Sequence, residues 1–296
     1  MCGIFGCVLK DGDAASIIHA ALKRLEYRGY DSVGEATIHK KKLLIKKDKG
    51  KIDEVHAIHD LNNLPGRVGV GHTRWATHGA PSQTNAHPHL DCNETIAVVH
   101  NGIIENFAVL KKELEDLGHV FKSKTDTEVI AHLIEENLKK ELKTDFENAV
   151  REAMQRLEGS YAVAVLCKDE PDKIVCARKE SPLVVGIGKD GVYCASDIPA
   201  FLPLTNKVVI VNDGELVVLT EEGCSLKKIS DGSMISRKPE IIDWSPEMAE
   251  KQGYPHFMLK EIHEQPLSLR NTLRLQEQYL DLMATFLERA TEVFLV

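Results

Sequence analysis

From Gly159 onward the chain is an almost unbroken run of short apolar segments separated by turn residues, and that run limits the folds open to it. SYAVAVLCK, KIVCARK, PLVVGIG, GVYCASD, KVVIVNDGELVVLT and CSLKKIS follow one another, with turns expected at DEPD, KDG and NDG. The chain also opens on strands. CGIFGCVL is the first, SVGEATIHKKKLLIKK has the form of a hairpin, and RVGVGHTRW and TIAVVHNGI are two more. Helical periodicity fills the gaps. It predicts helices from about Ser16 to Tyr27, over DEVHAIHDL, over ENFAVLKKELEDLG with Gly118 as its stop, over EVIAHLIEENLKKEL, and from about Asp145 to Leu157. Strands, then helices, then strands again fit an α+β fold in which two antiparallel sheets stack and carry helices on their outer faces.

This layered domain is expected to end near Lys238-Pro239, so that it covers residues 2–238. A polar, Pro-containing stretch over 239–266 has the look of a linker. Ser268 to Ala290 predicts one amphipathic helix, and Thr291 to Val296 a strand with nowhere to pack, so residues 267–296 are expected to begin a second domain.

Composition removes several function classes. The net charge of −8 over 296 residues argues against general nucleic-acid binding. The basic stretch His39 to Lys51 is expected to be a solvated hairpin strand. No apolar run approaches the ~20 residues of a membrane helix, and no leader peptide is visible, which points to the cytosol and away from a membrane partner. The seven cysteines contain no C-x-x-C pair, so neither a disulfide framework nor a zinc knuckle is expected. The histidines of NAHPHL, with His72, His78 and His100, match no zinc spacing and are expected to serve loop packing and substrate contacts, with no metal. Gly186, Gly188 and Gly191 spell a dinucleotide fingerprint, but VYCAS follows where a helix would be needed, and KDG is expected to be a hairpin turn.

Three stretches carry chemistry. Cys2 directly follows the initiator methionine. Either it opens a strand as a small apolar residue, or removal of Met1 leaves its thiol beside a free α-amine, whose pKa near ~8 suits it to act as base for its own nucleophile. HTRWATHG, HNG and KTDTE are expected to be loops. Asn101-Gly102 is either a turn dipeptide or a pair of donors for an oxyanion. Arg74 offers a carboxylate fork or a surface ion pair, and Asp126 an ammonium partner or a helix cap. Taken together, these groups describe a site for an α-amino acid attacked at its side-chain carbonyl, with glutamine and asparagine the obvious candidates.

MCGIFG, RLEYRGYDSVG (Arg24 to Gly34), GHTRWATHGAPSQTNAHPH (Gly71 to His89), HNGIIENF (His100 to Phe107) and SKTDTEVIAHLI (Ser123 to Ile134) resemble the class II glutamine amidotransferases, and among them the glutamine–fructose-6-phosphate aminotransferases. The resemblance covers the first ~240 residues in order, a span on the scale of a single large domain. HFMLKEIHEQP (His256 to Pro266) is similar to that family's link to its sugar-isomerase half. It implies the αββα sandwich of the N-terminal-nucleophile hydrolases, Cys2 as nucleophile, and Asn101 with Gly102 as oxyanion hole. It also implies Arg74, Thr77 and His78 at the glutamine carboxylate, Asp126 at its α-amine, Trp75 as gate to an ammonia channel and Arg28 as support. No cofactor is implied. Fructose 6-phosphate would be met through an isomerase half beyond this chain, and the full-length protein would be a homodimer. A sibling such as amidophosphoribosyltransferase, and a non-catalytic regulatory module, are the rival readings.

Overall fold

Two sheets lie face to face in the first 246 residues. The computed structural model describes residues 2–140, 145–243, 253–254 and 257–290. The chain divides into two compact units, Met1–Pro246 and Glu247–Val296. In the first unit the order is β1 (Gly3–Leu9), α1 (Ala14–Leu25), β2 (Ser32–His39), β3 (Lys42–Lys49), α2 (Ile52–His59), β4 (Val68–Arg74), β5 (His89–Leu90) and β6 (Ile96–Ile104). Three helices follow, α3 (Phe107–Asp116), α4 (Glu128–Lys140) and α5 (Phe146–Gln155). Then come β7 (Gly159–Cys167), β8 (Ile174–Lys179), β9 (Val184–Ile187), β10 (Gly191–Ala195), β11 (Lys207–Ile210), β12 (Glu215–Thr220), β13 (Gly223–Lys228), β14 (Met234–Ile235) and β15 (Glu240–Ile241).

One sheet has the order β15-β11-β9-β10-β1-β4-β2-β3 and the other β14-β13-β12-β8-β7-β6-β5. Every pairing in both is antiparallel. Strands buried on both faces must be apolar on both, which is why so many read as continuous hydrophobic runs. In β1, Ile4 and Val8 face the partner sheet while Phe5, Cys7 and Leu9 face α1 and α2. In β7, Ala162, Ala164 and Leu166 face inward while Tyr161, Val163 and Val165 meet α4 and α5. The result is the expected helix–sheet–sheet–helix sandwich.

The helices obey simple rules. Ile18, Ala21, Leu22 and Leu25 form the buried stripe of α1, and each fully buried Leu or Ile contributes about 1.5–3 kcal/mol. Asp145 caps α5 by accepting the Asn148 N–H at 2.8 Å, a bond worth about 1 kcal/mol.

Three expectations change. NDG does turn, with Glu215 N–H on Asn212 O at 3.2 Å, but it closes no hairpin: β11 belongs to one sheet and β12 to the other, so the chain crosses between layers there. The segments HTRWATHG and HNG are loops only in part, because His72–Arg74 complete β4 and His100–Gly102 lie within β6. The layered unit also runs past Lys238, since β15 pairs with β11 through Lys207↔Ile241 and Val208↔Glu240. KDG does join two antiparallel strands, with Gly188 N–H on Gly191 O at 2.9 Å.

In the second unit α6 (Phe257–Arg289) is one helix with Pro266 inside it. It starts eleven residues before the expected Ser268, because Pro266 is carried inside the helix instead of ending a linker before it. The strand expected over 291–296 lies outside the described residues.

Candidate active site

Cys2 sits just before β1, and the pairing of β1 with β4 fixes its surroundings. Gly3 lies opposite Thr73, which sets Cys2 beside the end of β4. The Trp75 N–H points at Cys2 Sγ from 3.2 Å. The Cys2 carbonyl oxygen accepts two donors, Arg28 Nε at 2.9 Å and Asn101 Nδ2 at 3.0 Å. Asn101 comes from the other sheet, so this contact bridges the two layers. Its own Oδ1 faces His72 Nε2 at 3.0 Å, which makes Nε2 the protonated ring nitrogen of His72. An amide NH2 has two protons, and only one is spent on Cys2.

Burial pushes the Cys2 thiol up, against the Trp75 N–H and the nearby Arg74 and Arg28 charges that lower it. A thiol held in this way needs a base to become a nucleophile.

Arg74 is buried at 4 % exposure. Its Nη2 donates to the His78 and Gly79 carbonyl oxygens and curls the 74–79 segment around the guanidinium. Its Nη1 is buried and has no hydrogen-bond partner among the described residues, as is true of Thr73 Oγ1 and His78 Nδ1. A buried donor left unpaired costs about 1–3 kcal/mol, and a bound carboxylate would satisfy it. The Arg74 charge acts on both Cys2 and Asp126. Among the described residues Asp126 makes no cap bond to α4. Its Oδ2 accepts the Ile104 N–H at 2.9 Å, which ties the turn before α4 to the end of β6.

Two glycines allow close approaches. Gly102 has φ +126°, and a Cβ there would lie 2.1 Å from the Ser160 carbonyl oxygen. Gly29 packs on the Arg74–Trp75 backbone, where a Cβ would lie 2.6 Å from the Arg74 carbonyl carbon. Asp31 completes this contact by accepting the Ala76 N–H at 2.8 Å.

The outer parts are more open. Trp75 is half exposed, its ring edge-on to Tyr30 at 5.4 Å. Thr77 is exposed. The His78 ring meets Phe107 edge-on at 5.4 Å. Arg28 reaches from Cys2 to Asp197, which also accepts the Tyr27 hydroxyl at 2.5 Å.

Asp197 carries no sequence signal, and His72, His87, His89 and His100, expected in loop packing and substrate contacts, form a buried layer beneath the site. His72 stacks on His87 at 4.1 Å, and His87 meets His89 at 4.8 Å. Thr127 Oγ1 lies 2.9 Å from His100 Nδ1 and 3.3 Å from His87 Nε2. These rings are bound to hydroxyls and to one another. Among the described residues, the His, Cys and carboxylate atoms close enough to hold a metal ion lie around Cys92 instead. A cavity of about 380 Å³ beside Lys47, His89 and Glu128 includes none of Cys2, Arg74, Asn101 or Asp126.

Known proteins resemble this chain. A glutamine amidotransferase domain profile matches residues 72–203. The chain is 54 % identical over 273 residues, 92 % of its own length and 45 % of the relative's, to the glutamine–fructose-6-phosphate aminotransferase (isomerizing) of Methanothermobacter thermautotrophicus. For the protein of the same name from Pyrococcus horikoshii the identity is 53 %, again over 92 % and 45 % of the two chains. For that from Pyrobaculum aerophilum it is 47 %, over 100 % and 49 %. The chain thus spans about half the length of the curated relatives it matches. Among solved structures, the glutamine phosphoribosylpyrophosphate amidotransferase of B. subtilis superposes with TM-score 0.67 at 28 % identity, over 77 % of this chain and 49 % of that one.

Proposed function

Since the chain belongs to the glutamine amidotransferases, on the branch of the glutamine–fructose-6-phosphate aminotransferases, we infer that it hydrolyses the side-chain amide of glutamine, with Cys2 as nucleophile. The observation that carries this reading is the double hold on Cys2: its carbonyl is pinned by Arg28 and Asn101, and its sulfur faces the Trp75 N–H.

Once Met1 is removed, the Cys2 α-amine takes the thiol proton and the thiolate attacks the amide carbon. The second Asn101 amide proton and the Gly102 N–H stabilise the oxyanion of the tetrahedral intermediate. Collapse expels ammonia, which leaves with the proton held by the amine, and a thioester remains. Water then cleaves the thioester, releasing glutamate and restoring the thiol. Arg74, held by the His78 and Gly79 carbonyls, takes the substrate carboxylate in a loop that includes Thr77 and His78, and Asp126 takes the α-ammonium. Arg28 keeps Cys2 in line, and Trp75 stands at the exit for ammonia.

In the longer protein the ammonia would pass to fructose 6-phosphate bound by an isomerase half, giving glucosamine 6-phosphate. The amidotransferase part is assigned to the unit that includes β15 rather than ending at Lys238, and the link and the start of the isomerase part to the residues that follow. A cytosolic homodimer is the expected whole. No helix among the described residues is long and apolar enough to cross a membrane. The higher identity to the fructose-6-phosphate branch favours it over the phosphoribosyl branch.

The test is Cys2→Ala. Glutamate release from glutamine should fall by roughly 10³-fold or more, with the unfolding transition still cooperative. Turnover retained in that variant would overturn the assignment.

A further inference from the structure

Away from Cys2, four side chains from three separate segments converge. They are Cys92 in the turn between β5 and β6, His119 just after α3, and His132 and Glu135 one turn apart on α4. One ligand atom from each lies within 4.8 Å of all the others. Cys92 Sγ is 3.7 Å from His119 Nδ1 and 3.5 Å from His132 Nδ1. The two Nδ1 atoms are 3.2 Å apart. Glu135 Oε2 is 3.2 Å from His119 Nδ1 and 3.4 Å from His132 Nδ1. Around a tetrahedral zinc ion with ordinary bond lengths, two nitrogens stand about 3.3 Å apart and a nitrogen and a sulfur about 3.6 Å. The three N–N and N–S separations match those edges, and the two N–O separations of 3.2 and 3.4 Å match the ~3.3 Å expected for an imidazole and a carboxylate oxygen on the same ion.

The protons of the cluster also argue for a cation. His119 Nε2 lies 3.3 Å from Glu136 Oε2, and His132 Nε2 lies 3.6 Å from Glu128 Oε1. The Glu136 carboxylate calls for N–H on His119 Nε2, which leaves its Nδ1 lone pair facing the cluster; His132 Nε2 is buried with no hydrogen-bond partner among the described residues. The His119 lone pair, the Cys92 sulfur, His132 Nδ1 and Glu135 Oε2, which also accepts the Cys92 N–H at 3.1 Å, thus converge as a set of donor atoms that one cation can bridge. Glu135 is aimed at the centre because its other oxygen is held by Asn93 Nδ2 at 2.7 Å and Lys139 Nζ at 2.8 Å. The Val120 N–H points at Cys92 Sγ from 3.4 Å, a contact that suits a thiolate. His119, His132 and Glu135 are buried while Cys92 is exposed, which gives an entry side.

We propose that Cys92, His119, His132 and Glu135 bind a zinc ion. Thiolate, two imidazoles and one carboxylate form a borderline-soft donor set that favours zinc over calcium or magnesium. Four protein ligands close the coordination sphere, as in structural rather than catalytic zinc sites. The ion would staple the β5–β6 turn and the segment after α3 to α4, and so brace the stretch from His119 to Glu128 that carries Asp126. The expectation of no metal weighed the histidines near His72 and His100 and the spacing of the cysteines, and neither brings Cys92 together with His119, His132 and Glu135.

Metal content tests this directly. The full chain, made without a histidine tag and equilibrated with zinc before desalting, should hold about one zinc per molecule by elemental mass spectrometry. Cys92→Ser and His119→Gln should each lose it. Removal by a chelator should lower the melting temperature on the order of 10 °C. Cobalt added to the zinc-free wild type should give tetrahedral visible bands and a thiolate-to-cobalt charge-transfer band, a readout that stands even where a variant fails to fold. A wild type that retains below about a tenth of a zinc per chain, zinc content unchanged in both variants, or cobalt uptake without the thiolate band would each overturn the site.

Discussion

Mild acid should loosen the floor of the candidate site before most carboxylates respond. His72, His87 and His89 are buried. Burial lowers His72 to about 3, helped by the His100 and Arg74 charges and opposed by its bond to Asn101. Burial also holds His87 and His89 well below the usual range. The neighbouring histidines and Arg74 add to this for His87, and Lys47 and Arg74 for His89 against an opposing Glu128. In the unfolded chain each would take a proton near pH 6.5. As pH falls below that value the unfolded state therefore binds more protons than the native one, and stability drops by about 1.4 kcal/mol per pH unit for each histidine. Between about pH 6.5 and pH 5 the three together lose about 5 kcal/mol. Glu35 works in the opposite sense. Burial raises its carboxyl well above the usual range, so the native state holds its proton over the same interval and returns at most about 2 kcal/mol. A net loss of about 3 kcal/mol is a large part of a typical 5–15 kcal/mol. Urea unfolding at several pH values should show the midpoint falling at constant slope against denaturant, with glutaminase activity falling alongside. Stability that is flat or rising from about pH 6.5 to 5 would refute the reasoning.

Asn101→Asp keeps the side-chain shape but replaces donors with acceptors. Its kcat should fall about 10²–10³-fold with KM for glutamine little changed, and a kcat within about threefold of wild type would take Asn101 out of the oxyanion role. Arg74→Lys cannot hold the His78 and Gly79 carbonyls and a substrate carboxylate together, so KM should rise about 10–100-fold. A collapse of kcat at unchanged KM would show that Arg74 acts elsewhere. Glu35→Gln should stabilise the protein by about 1–3 kcal/mol near pH 8 and by little near pH 4, because both wild-type carboxyl oxygens are buried without a hydrogen-bond partner among the described residues. A destabilised variant near pH 8 would mean that the carboxylate has a partner it needs.

Local signals in the sequence reached as far as local physics does. The apolar stripe Ile18, Ala21, Leu22, Leu25 announced α1, and alternation announced β7, because each pattern is the imprint of one buried face. Asn212-Asp213-Gly214 misled because a turn dipeptide reports backbone bending and is silent on which sheet receives the next strand. His72 and His100 sat in polar words that suggest loops, yet they end or continue strands, since a strand becomes polar where it runs into a site. Cys92, His119, His132 and Glu135 are spread over three segments, and only the H-x-x-E step on α4 is local enough to notice. The same limit explains why the hold on Cys2 was out of reach. β1 and β4 belong to one sheet and β6 to the other, so the carbonyl of Cys2 meets Asn101 only when the layers pack. Asn101 stands opposite Ala162 in the ladder, and Ala97, Ala162 and Ala164 line the inner face. Small side chains there let the sheets come close, and the spacing they set is the 3.0 Å contact on which the site depends.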